Sequence, residues 1–397
     1  MAHQTVLVSG VGVAGPTLAY WLARAGLQPT LVERAPSIRT GGYVIDFWGL
    51  GYDIADRMGL RDELDRAGYR IEEMRIVDDK GERETGIGAK VFRELAGGRF
   101  VTIRRSDLAC LLLEKASPVA EIIFGDEISG LEQDEDGVSV AFERAPSRRF
   151  DLVIGADGLH SNVRTMAFGP QDRFERSLGY AVAAFERRGY RPRDEDIYVV
   201  HNTPGCMLGR FALRDDRTLF LLVFAYGSSD PWPAHDLAAQ RRLLRGRFGG
   251  GQESSRVLEE LDRSDDLYFD RVSQICMPSW SQGRIALVGD AAFCVSLLAG
   301  QGSALAMTAA YALAGELASA GGSHREAFAR YETLLRPYIE TKQRAARRFG
   351  GVFAPRTALG LFVRDLVIRA ASIPGVARLA FGSDMIDRLA LPEYAWR

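Results

Sequence analysis

Cysteine and histidine are both scarce in this sequence of 397 residues, which has four cysteines and five histidines. No two cysteines form a C-x-x-C pair, and no two histidines have the H-x-x-x-H spacing of a helical metal site. This argues against a disulfide framework and against a zinc or iron centre, and it favours buried thiols in a reducing compartment. The residues concerned are Cys110, Cys206, Cys276, Cys294, His3, His160, His201, His235 and His324.

The sequence also lacks an excess of charge and any long apolar run. Its 50 basic and 52 acidic side chains give a net charge of −2, which provides no global field to attract nucleic acid or an anionic membrane. No apolar run reaches the roughly 18 residues of a membrane span, and the apolar N-terminus has no basic segment before it. We therefore predict a cytoplasmic protein that binds neither nucleic acid nor a membrane.

A glycine-rich turn near the N-terminus is the most informative feature that is present. Residues 5–9 predict a buried strand, the stretch from Gly10 to Gly15 has the G-x-G-x-x-G spacing, and residues 16–25 predict a helix. A second apolar strand at residues 29–32 ends in Glu33. This order is typical of a dinucleotide-binding βαβ unit, in which the acidic residue accepts a hydrogen bond from a ribose hydroxyl. The alternative is a glycine turn in an α/β protein without a ligand.

Each glycine of this turn has its own predicted role. Gly10 permits the tight turn, Gly12 lets a pyrophosphate approach the backbone, and Gly15 lets the helix pack closely on the strand. The first N–H groups of the helix have no partner within it and are available to phosphate oxygens.

Two later segments repeat the pattern of a buried strand that ends in an acidic glycine turn. They are DLVIGADG at residues 151–158 and GRIALVGDAA at residues 283–292, the second followed by AGQG at residues 299–302. We predict that Asp290 accepts from a ribityl hydroxyl and that the backbone after it lies beside a flavin ring. The positive end of a helix starting at residue 303 would stabilise negative charge on that ring.

Between these motifs, residues 173–274 have the alternating pattern of antiparallel strands. We predict an α/β fold in which a Rossmann-like FAD-binding domain is interrupted by an antiparallel-sheet substrate domain. The predicted boundaries are 1–172 and 275–322 for the FAD-binding domain, 173–274 for the substrate domain and 323–397 for C-terminal helices.

The motifs, taken in order, resemble those of the FAD-dependent aromatic hydroxylases with the p-hydroxybenzoate hydroxylase fold. The matching stretches are GVGVAG with Glu33-Arg34, Arg105 in RRSDL, DLVIGADGLHSNVR, and GRIALVGDAA with AGQG. Within that group the chain is most similar to single-component bacterial enzymes that oxidise polycyclic natural products or inactivate tetracyclines. The resemblance implies bound FAD, transient binding of NADPH or NADH, and hydroxylation of an aromatic or polycyclic small molecule with O2 through a flavin C4a-hydroperoxide.

The resemblance also implies roles for individual residues. Glu33 would bind the adenosine ribose, with Arg34 beside the adenine. Arg105 would contact the linker between the pyrophosphate and the ring, and Asp290 would hold the ribityl and pyrophosphate region. The predicted cofactor-binding set is Gly10, Gly12, Val13, Ala14, Gly15, Glu33, Arg34, Gly42, Arg105, Asp157, Gly158, Gly289, Asp290, Gly300, Gly302 and Ser303.

One stretch departs from the family pattern. Phe293, Ser296 and Leu297 stand where the family usually has a histidine and prolines, so we expect a differently shaped loop beside the flavin. Residues 41–59 suggest a loop that runs into a helix, and the resemblance implies that the loop at residues 46–48 approaches the flavin. Substrate contacts are predicted on the antiparallel sheet, in this loop and in the loop of residues 293–298, with ordinary packing as the alternative for each residue because a shift of one position reverses the face. These predicted contacts are Phe47, His201, Arg210, Phe211, Phe224 and Leu298.

The motifs name no catalytic acid or base. Alternative functions are a flavin-dependent dehydrogenase, epoxidase or Baeyer–Villiger enzyme acting on a polyketide, and a flavin-binding module without turnover. A monomer and a homodimer are both compatible with the sequence.

Overall fold

The computed structural model describes residues 4–38, 43–227, 230–234, 236–264, 266–371, 387 and 389–396. Its strands are β1 (Thr5–Ser9), β2 (Gln28–Glu33), β3 (Val44–Trp48), β4 (Glu73–Val77), β5 (Arg83–Gly88), β6 (Phe100–Arg104), β7 (Glu121–Phe124), β8 (Ile128–Gln133), β9 (Val138–Phe142), β10 (Arg148–Phe150), β11 (Leu152–Gly155), β12 (Glu175–Arg188), β13 (Ile197–Thr203), β14 (Cys206–Leu213), β15 (Arg217–Ala225), β16 (Tyr268–Ile275), β17 (Ser281–Gln282) and β18 (Ile285–Leu287). Its α-helices are α1 (Ala14–Arg24), α2 (Leu50–Arg57), α3 (Arg61–Ala67), α4 (Ala89–Leu95), α5 (Arg105–Ala116), α6 (Asn162–Phe168), α7 (Leu237–Phe248), α8 (Gln252–Asp262), α9 (Asp290–Phe293), α10 (Gly302–Ser319), α11 (His324–Phe353) and α12 (Ala358–Ala371).

The strands that carry the glycine motifs lie in a six-stranded sheet with the order β17-β18-β11-β1-β2-β7. β1 pairs in parallel with β2 and with β11, and β11 pairs in parallel with β18. The central residues of these strands are buried because both faces of a parallel sheet are covered. The carboxyl ends of β1, β11 and β18 meet at one edge, so the three glycine turns lie close together there.

A second sheet has seven strands in the order β16-β12-β15-β14-β13-β4-β5. The strands from residues 175–275 pair as the alternating pattern predicts, and β13 also pairs in parallel with β4. β4 and β5 come from residues 73–88, which the predicted boundaries place in the FAD-binding domain. The structure differs at this point because strand pairing between distant segments leaves no local signal in the sequence.

The two faces of the seven-stranded sheet have different neighbours. On one face, Phe220 and Leu222 pack with Leu244 of α7 and Val257 of α8. On the opposite face, residues such as Met207 and Val223 pack with Leu298, which follows the third glycine turn. This second face is therefore directed toward the edge where the glycine turns lie.

The C-terminal residues pack against helices α1 and α10, beside the six-stranded sheet. The ring of Trp396 lies 4.6 Å from that of Trp21 in α1 and 5.3 Å from that of Tyr311 in α10. Asp387 accepts a hydrogen bond from the Leu50 N–H at 2.9 Å and pairs with Lys342 of α11 at 3.1 Å. Among the helices that the structure describes, none is both long and apolar enough to span a membrane.

Candidate active site

The first glycine turn is as tight as its sequence predicts. Gly10 has a φ of +105°, and a β-carbon there would lie 2.6 Å from the Ala156 carbonyl oxygen. A β-carbon on Gly15 would lie 1.9 Å from the carbonyl oxygen of Gly10, so the helix could not pack this closely on the strand. The turn thus needs glycine at both positions. Within the turn, Val13 is the N-cap of α1 and Ala14 is its first residue.

Glu33 lies at the end of β2 and is fixed by backbone donors. Its carboxylate accepts from the N–H of Val11 at 2.9 Å and from the N–H of Ala35 at 3.0 Å. Carboxylate oxygens have further lone pairs, so these contacts orient the group and leave acceptor sites for hydroxyl donors. The neighbouring Arg34 is exposed. The predicted contact Gly42 lies outside the described residues.

Arg105 places a cation beside the first glycine turn. A β-carbon on Gly12 would lie 3.6 Å from the Arg105 Nη2 atom, so the side chain faces the turn across a narrow gap. Its backbone N–H donates to the carbonyl oxygen of Tyr43 at 3.1 Å, which anchors the start of α5. Within the described ranges we find no hydrogen bond or salt bridge from the guanidinium itself. A guanidinium beside the N–H groups at the start of a helix is suited to bind a pyrophosphate.

Asp157, in the second glycine turn, serves the following helix. Its carboxylate accepts from the Ser161 hydroxyl at 2.5 Å and from the N–H groups of Asn162 and Val163 at 2.9 and 3.0 Å. The next residue, Gly158, has a φ of +79°. These contacts give the carboxylate a structural role at the start of α6, and its predicted contact with a nucleotide stays a prediction.

A buried arginine connects the second and third glycine turns. Arg164 donates to the Ala291 carbonyl oxygen at 2.9 Å and to the Leu159 carbonyl oxygen at 2.7 Å. Ala291 belongs to the third turn and Leu159 follows the second. The arginine therefore holds the two turns in a fixed relation.

Asp290 lies at the third turn and faces the start of α10. A β-carbon on Gly302 would lie 3.7 Å from the Asp290 Oδ1 atom, and one on Gly289 would lie 3.3 Å from the Ala14 β-carbon. The surrounding protein raises the pKa of the Asp290 carboxyl by desolvation, while the nearby Arg105 opposes this shift. The first and third turns and Arg105 thus enclose one common site.

The segment from Phe293 to Gly300, which we call the connecting turn, joins α9 to α10. Phe293 is buried, with its ring 4.6 Å from that of Trp280, so it fills core volume. Ser296 has a φ of +121°, a conformation that costs a non-glycine residue about 1–3 kcal/mol. The departure from the family pattern therefore gives a strained turn. Gly300 is left-handed and faces Trp48, and Gly302 and Ser303 begin α10, where the first N–H groups have no partner within the helix.

The sheet face that is directed toward the connecting turn is apolar and aromatic. The Phe211 ring stacks on that of Tyr198 at 5.5 Å and meets Tyr69 edge to face at 5.3 Å. Leu298 packs with Met207 of the same face. Of the predicted substrate contacts, Leu298 thus lies at this face, whereas Phe211 is 1% exposed in a separate apolar cluster and supports the ring of Tyr198 from within the core.

Three predicted substrate contacts lie on the opposite face of this sheet. Arg210 is buried and pairs with Glu253 of α8 at 2.9 Å. The Phe224 ring packs against Phe248 of α7 at 5.9 Å, and the ring of His201 lies 3.2 Å from the Val77 carbonyl oxygen. Because successive residues of a strand alternate between faces, these side chains point away from the glycine turns. Their placement corrects the prediction for His201, Arg210 and Phe224.

Phe47 also requires correction. Residues 44–48 form strand β3, which pairs with β6, where the sequence suggests a loop. Phe47 points into the core, 1% exposed, whereas the neighbouring Asp46 points the other way and accepts from the Thr102 hydroxyl at 2.6 Å. The loop prediction fails because glycine and aromatic residues on both sides mask a short strand.

Sequence reasoning missed two tyrosines near the common site. The rings of Tyr43 and Tyr268 lie 6.0 Å apart, and burial raises the pKa of the Tyr43 hydroxyl, with Arg105 and Asp290 both close enough to influence it. Tyr268 opens β16, and its alternation with the buried Val272 is a signal that could have placed it on the inner face. No comparable signal exists for Tyr43.

Comparison with known proteins agrees with this arrangement. The chain belongs to the FAD binding domain family, whose model matches residues 3–341. A flavin-dependent monooxygenase of Legionella longbeachae serogroup 1 is 36% identical over 358 residues, which cover 85% of this chain and 87% of that protein. Another flavin-dependent monooxygenase, from an unknown prokaryotic organism, is 38% identical over 348 residues, covering 86% and 89%.

Among solved structures, the crystal structure of tetracycline destructase Tet(55) superimposes with a TM-score of 0.85 at 32% identity, covering 99% of each chain. Tetracycline destructase Tet(51) gives a TM-score of 0.83 at 31% identity, covering 99% of this chain and all of that one. The predicted family, α/β fold and FAD cofactor are thereby confirmed, and the protein is an FAD-dependent monooxygenase.

Proposed function

We propose that the protein oxidises a polycyclic aromatic small molecule held between the inner sheet face and the connecting turn. The observation that carries this proposal is the inner sheet face beside the connecting turn, where the half-buried ring of Tyr198 packs with the apolar cluster that contains Leu298 and the rings of Tyr43 and Tyr268 lie near the common site. Flat aromatic ligands gain both apolar burial and ring stacking on such a surface. The tetracycline destructase structures, whose named substrates are polycyclic, support the same class.

We assign FAD to the site that the glycine turns enclose. Gly10, Gly12 and Gly15 would admit its pyrophosphate beside Arg105, Glu33 would accept from its ribose, and Asp290 would accept from its ribityl chain. The fit rests on the close backbone contacts at Gly10 and Gly15 and on the Arg105 guanidinium beside Gly12.

When bound, FAD supplies the redox chemistry that uses NADPH or NADH and O2 to place one oxygen atom on the substrate. The chain's own residues bind FAD and the substrate and orient them relative to each other. The N–H groups of Gly302 and Ser303, at the positive end of α10, would stabilise negative charge at the flavin edge. Leu297 and Leu298 present apolar surface that excludes water from the reacting atoms. Burial and, after it, the nearby Asp46 carboxylate raise the pKa of the Tyr198 hydroxyl, so Asp46 supplies a carboxylate acceptor near the inner face.

The substrate class can be tested by titrating the FAD-loaded protein with polycyclic and monocyclic phenols and following the flavin absorption spectrum. We expect saturable spectral shifts with polycyclic phenols and at least about tenfold weaker binding of monocyclic ones, because less ring area is buried. Equal affinity for both sets, or binding of neither, would contradict the proposed substrate class. Such a result would leave the FAD assignment untouched.

A further inference from the structure

The connecting turn is strained at Ser296 and has no proline, so other groups must hold its shape. Its internal bonds are short-range, with the Leu298 N–H donating to the Ser296 hydroxyl at 3.2 Å and the Gly300 N–H donating to the Leu297 carbonyl at 3.1 Å. Such local bonds close a turn without fixing its place relative to the rest of the protein. Hydrogen bonds to the carbonyl groups at the beginning of the turn fix its place relative to the rest of the protein.

Gln343 of α11 donates its side-chain amide into the beginning of the turn. Its Nε2 atom lies 3.2 Å from the Cys294 carbonyl oxygen and 3.4 Å from that of Phe293, and it also donates to the Ile275 carbonyl at 2.8 Å. The side chain is buried. One amide thus joins the connecting turn, the end of β16 and the long C-terminal helix.

Gln274 of β16 holds the next residue of the turn. Its Nε2 atom donates to the Val295 carbonyl at 2.8 Å and to the main-chain carbonyl of Gln343 at 2.9 Å. Gln274 has no exposed surface, so these bonds form without competition from water. Three successive carbonyl groups, at residues 293–295, therefore lie within hydrogen-bond distance of two side-chain amides from two other elements. Those of Phe293 and Cys294 share one N–H of Gln343, and that of Cys294 also accepts from the Ile275 N–H at 3.1 Å.

We propose that Gln274 and Gln343, the amide pair, are positioning residues that hold the connecting turn and the start of α10 against FAD. This inference rests on the proposed assignment of FAD to the glycine turns. Gln274 belongs to the seven-stranded sheet that carries the inner face, whereas Gly302 and Ser303 begin α10 and, on this assignment, would face the flavin edge. The amide pair links these two surfaces, so it sets the distance between substrate and flavin and supplies the rigidity that a proline would otherwise give.

The variant Gln343→Met tests this role because it keeps side-chain length and removes the amide. We expect hydrogen exchange in the segment 293–301 of the FAD-free protein to become about tenfold faster and the FAD dissociation constant to rise about tenfold, since a hydrogen-bonded restraint of this size is lost. In the loaded enzyme, a larger fraction of the oxidised NADPH should appear as hydrogen peroxide. Gln274→Met should change the same quantities in the same direction.

Gln240→Met is the matched control, because Gln240 is a buried glutamine whose amide donates to the Pro233 carbonyl at 3.1 Å on the far side of the seven-stranded sheet. It should leave exchange in 293–301 and FAD affinity unchanged. The inference is overturned if Gln343→Met and Gln240→Met lower the melting temperature alike while neither alters exchange in the turn or FAD affinity. Faster exchange in the turn without any change in FAD affinity would overturn it as well, whereas failure of the FAD assignment is recognised separately, as unchanged FAD binding by Asp290→Ala.

Discussion

The two faces of the seven-stranded sheet are built from the same strands, but one face buries ion pairs and the other carries aromatic rings. On the face covered by α7 and α8, Arg210 is buried against Glu253 and Asp194. On the inner face, the buried ring of Phe211 stacks on the half-buried ring of Tyr198, which packs with the cluster that contains Leu298 of the connecting turn. Charge that is neutralised inside the protein serves stability, whereas an aromatic surface beside a cofactor site is available to a ligand. Neighbouring residues of one strand, 210 and 211, therefore have unrelated roles.

The largest expected effect comes from breaking the ion pairs on the covered face. Arg210→Met leaves the Glu253 carboxylate buried at 1% exposure, with Arg256 at 3.7 Å as a more distant cation. We expect the free energy of unfolding to fall by about 3–5 kcal/mol, since an uncompensated buried charge is costly. Urea denaturation measures this loss. FAD affinity of the folded variant should be that of the wild type, and a marked drop in that affinity would contradict the division of roles.

A smaller effect compares two phenylalanines of the same sheet. Phe211→Leu and Phe224→Leu each remove a buried ring, so both should cost about 1–1.5 kcal/mol of stability. Phe211→Leu should in addition raise the KM for a polycyclic substrate about tenfold, because the ring that supports Tyr198 on the inner face is lost. Steady-state kinetics on the two variants checks this. If Phe224→Leu raised the KM equally, the covered face would affect substrate binding as much as the inner face. The proposed difference between the two faces would then be wrong.

Sequence reasoning reached the parts of the site that depend on local geometry. The turn from Gly10 to Gly15, the acidic residue at 33 and the strand before Asp290 are contiguous patterns, and the structure contains each of them. The face of the sheet that each strand residue occupies was harder to predict. Alternation allows two assignments that differ by one residue, and only tertiary packing selects one of them. Arg210 and Phe224 were assigned to the wrong face for that reason.

Contacts between distant segments could not be predicted at all. β4 joins the seven-stranded sheet beside β13, more than a hundred residues later in the chain. The amide pair joins residues 274 and 343 to the turn at 293–295, and glutamine carries no motif that would mark such a role. These features depend on the assembled fold, in which a side chain meets carbonyl groups from elements it does not neighbour in sequence.

The central claim is that the first and third glycine turns enclose one FAD site, and the FAD content of Asp290→Ala tests it most directly. Wild-type protein should purify with FAD, and the variant should purify folded but without it, as measured by flavin absorbance alongside circular dichroism. Asp134→Ala, which removes an exposed carboxylate in the separate sheet of β8, β9 and β10, should keep its FAD. Full flavin occupancy in Asp290→Ala would contradict the assignment.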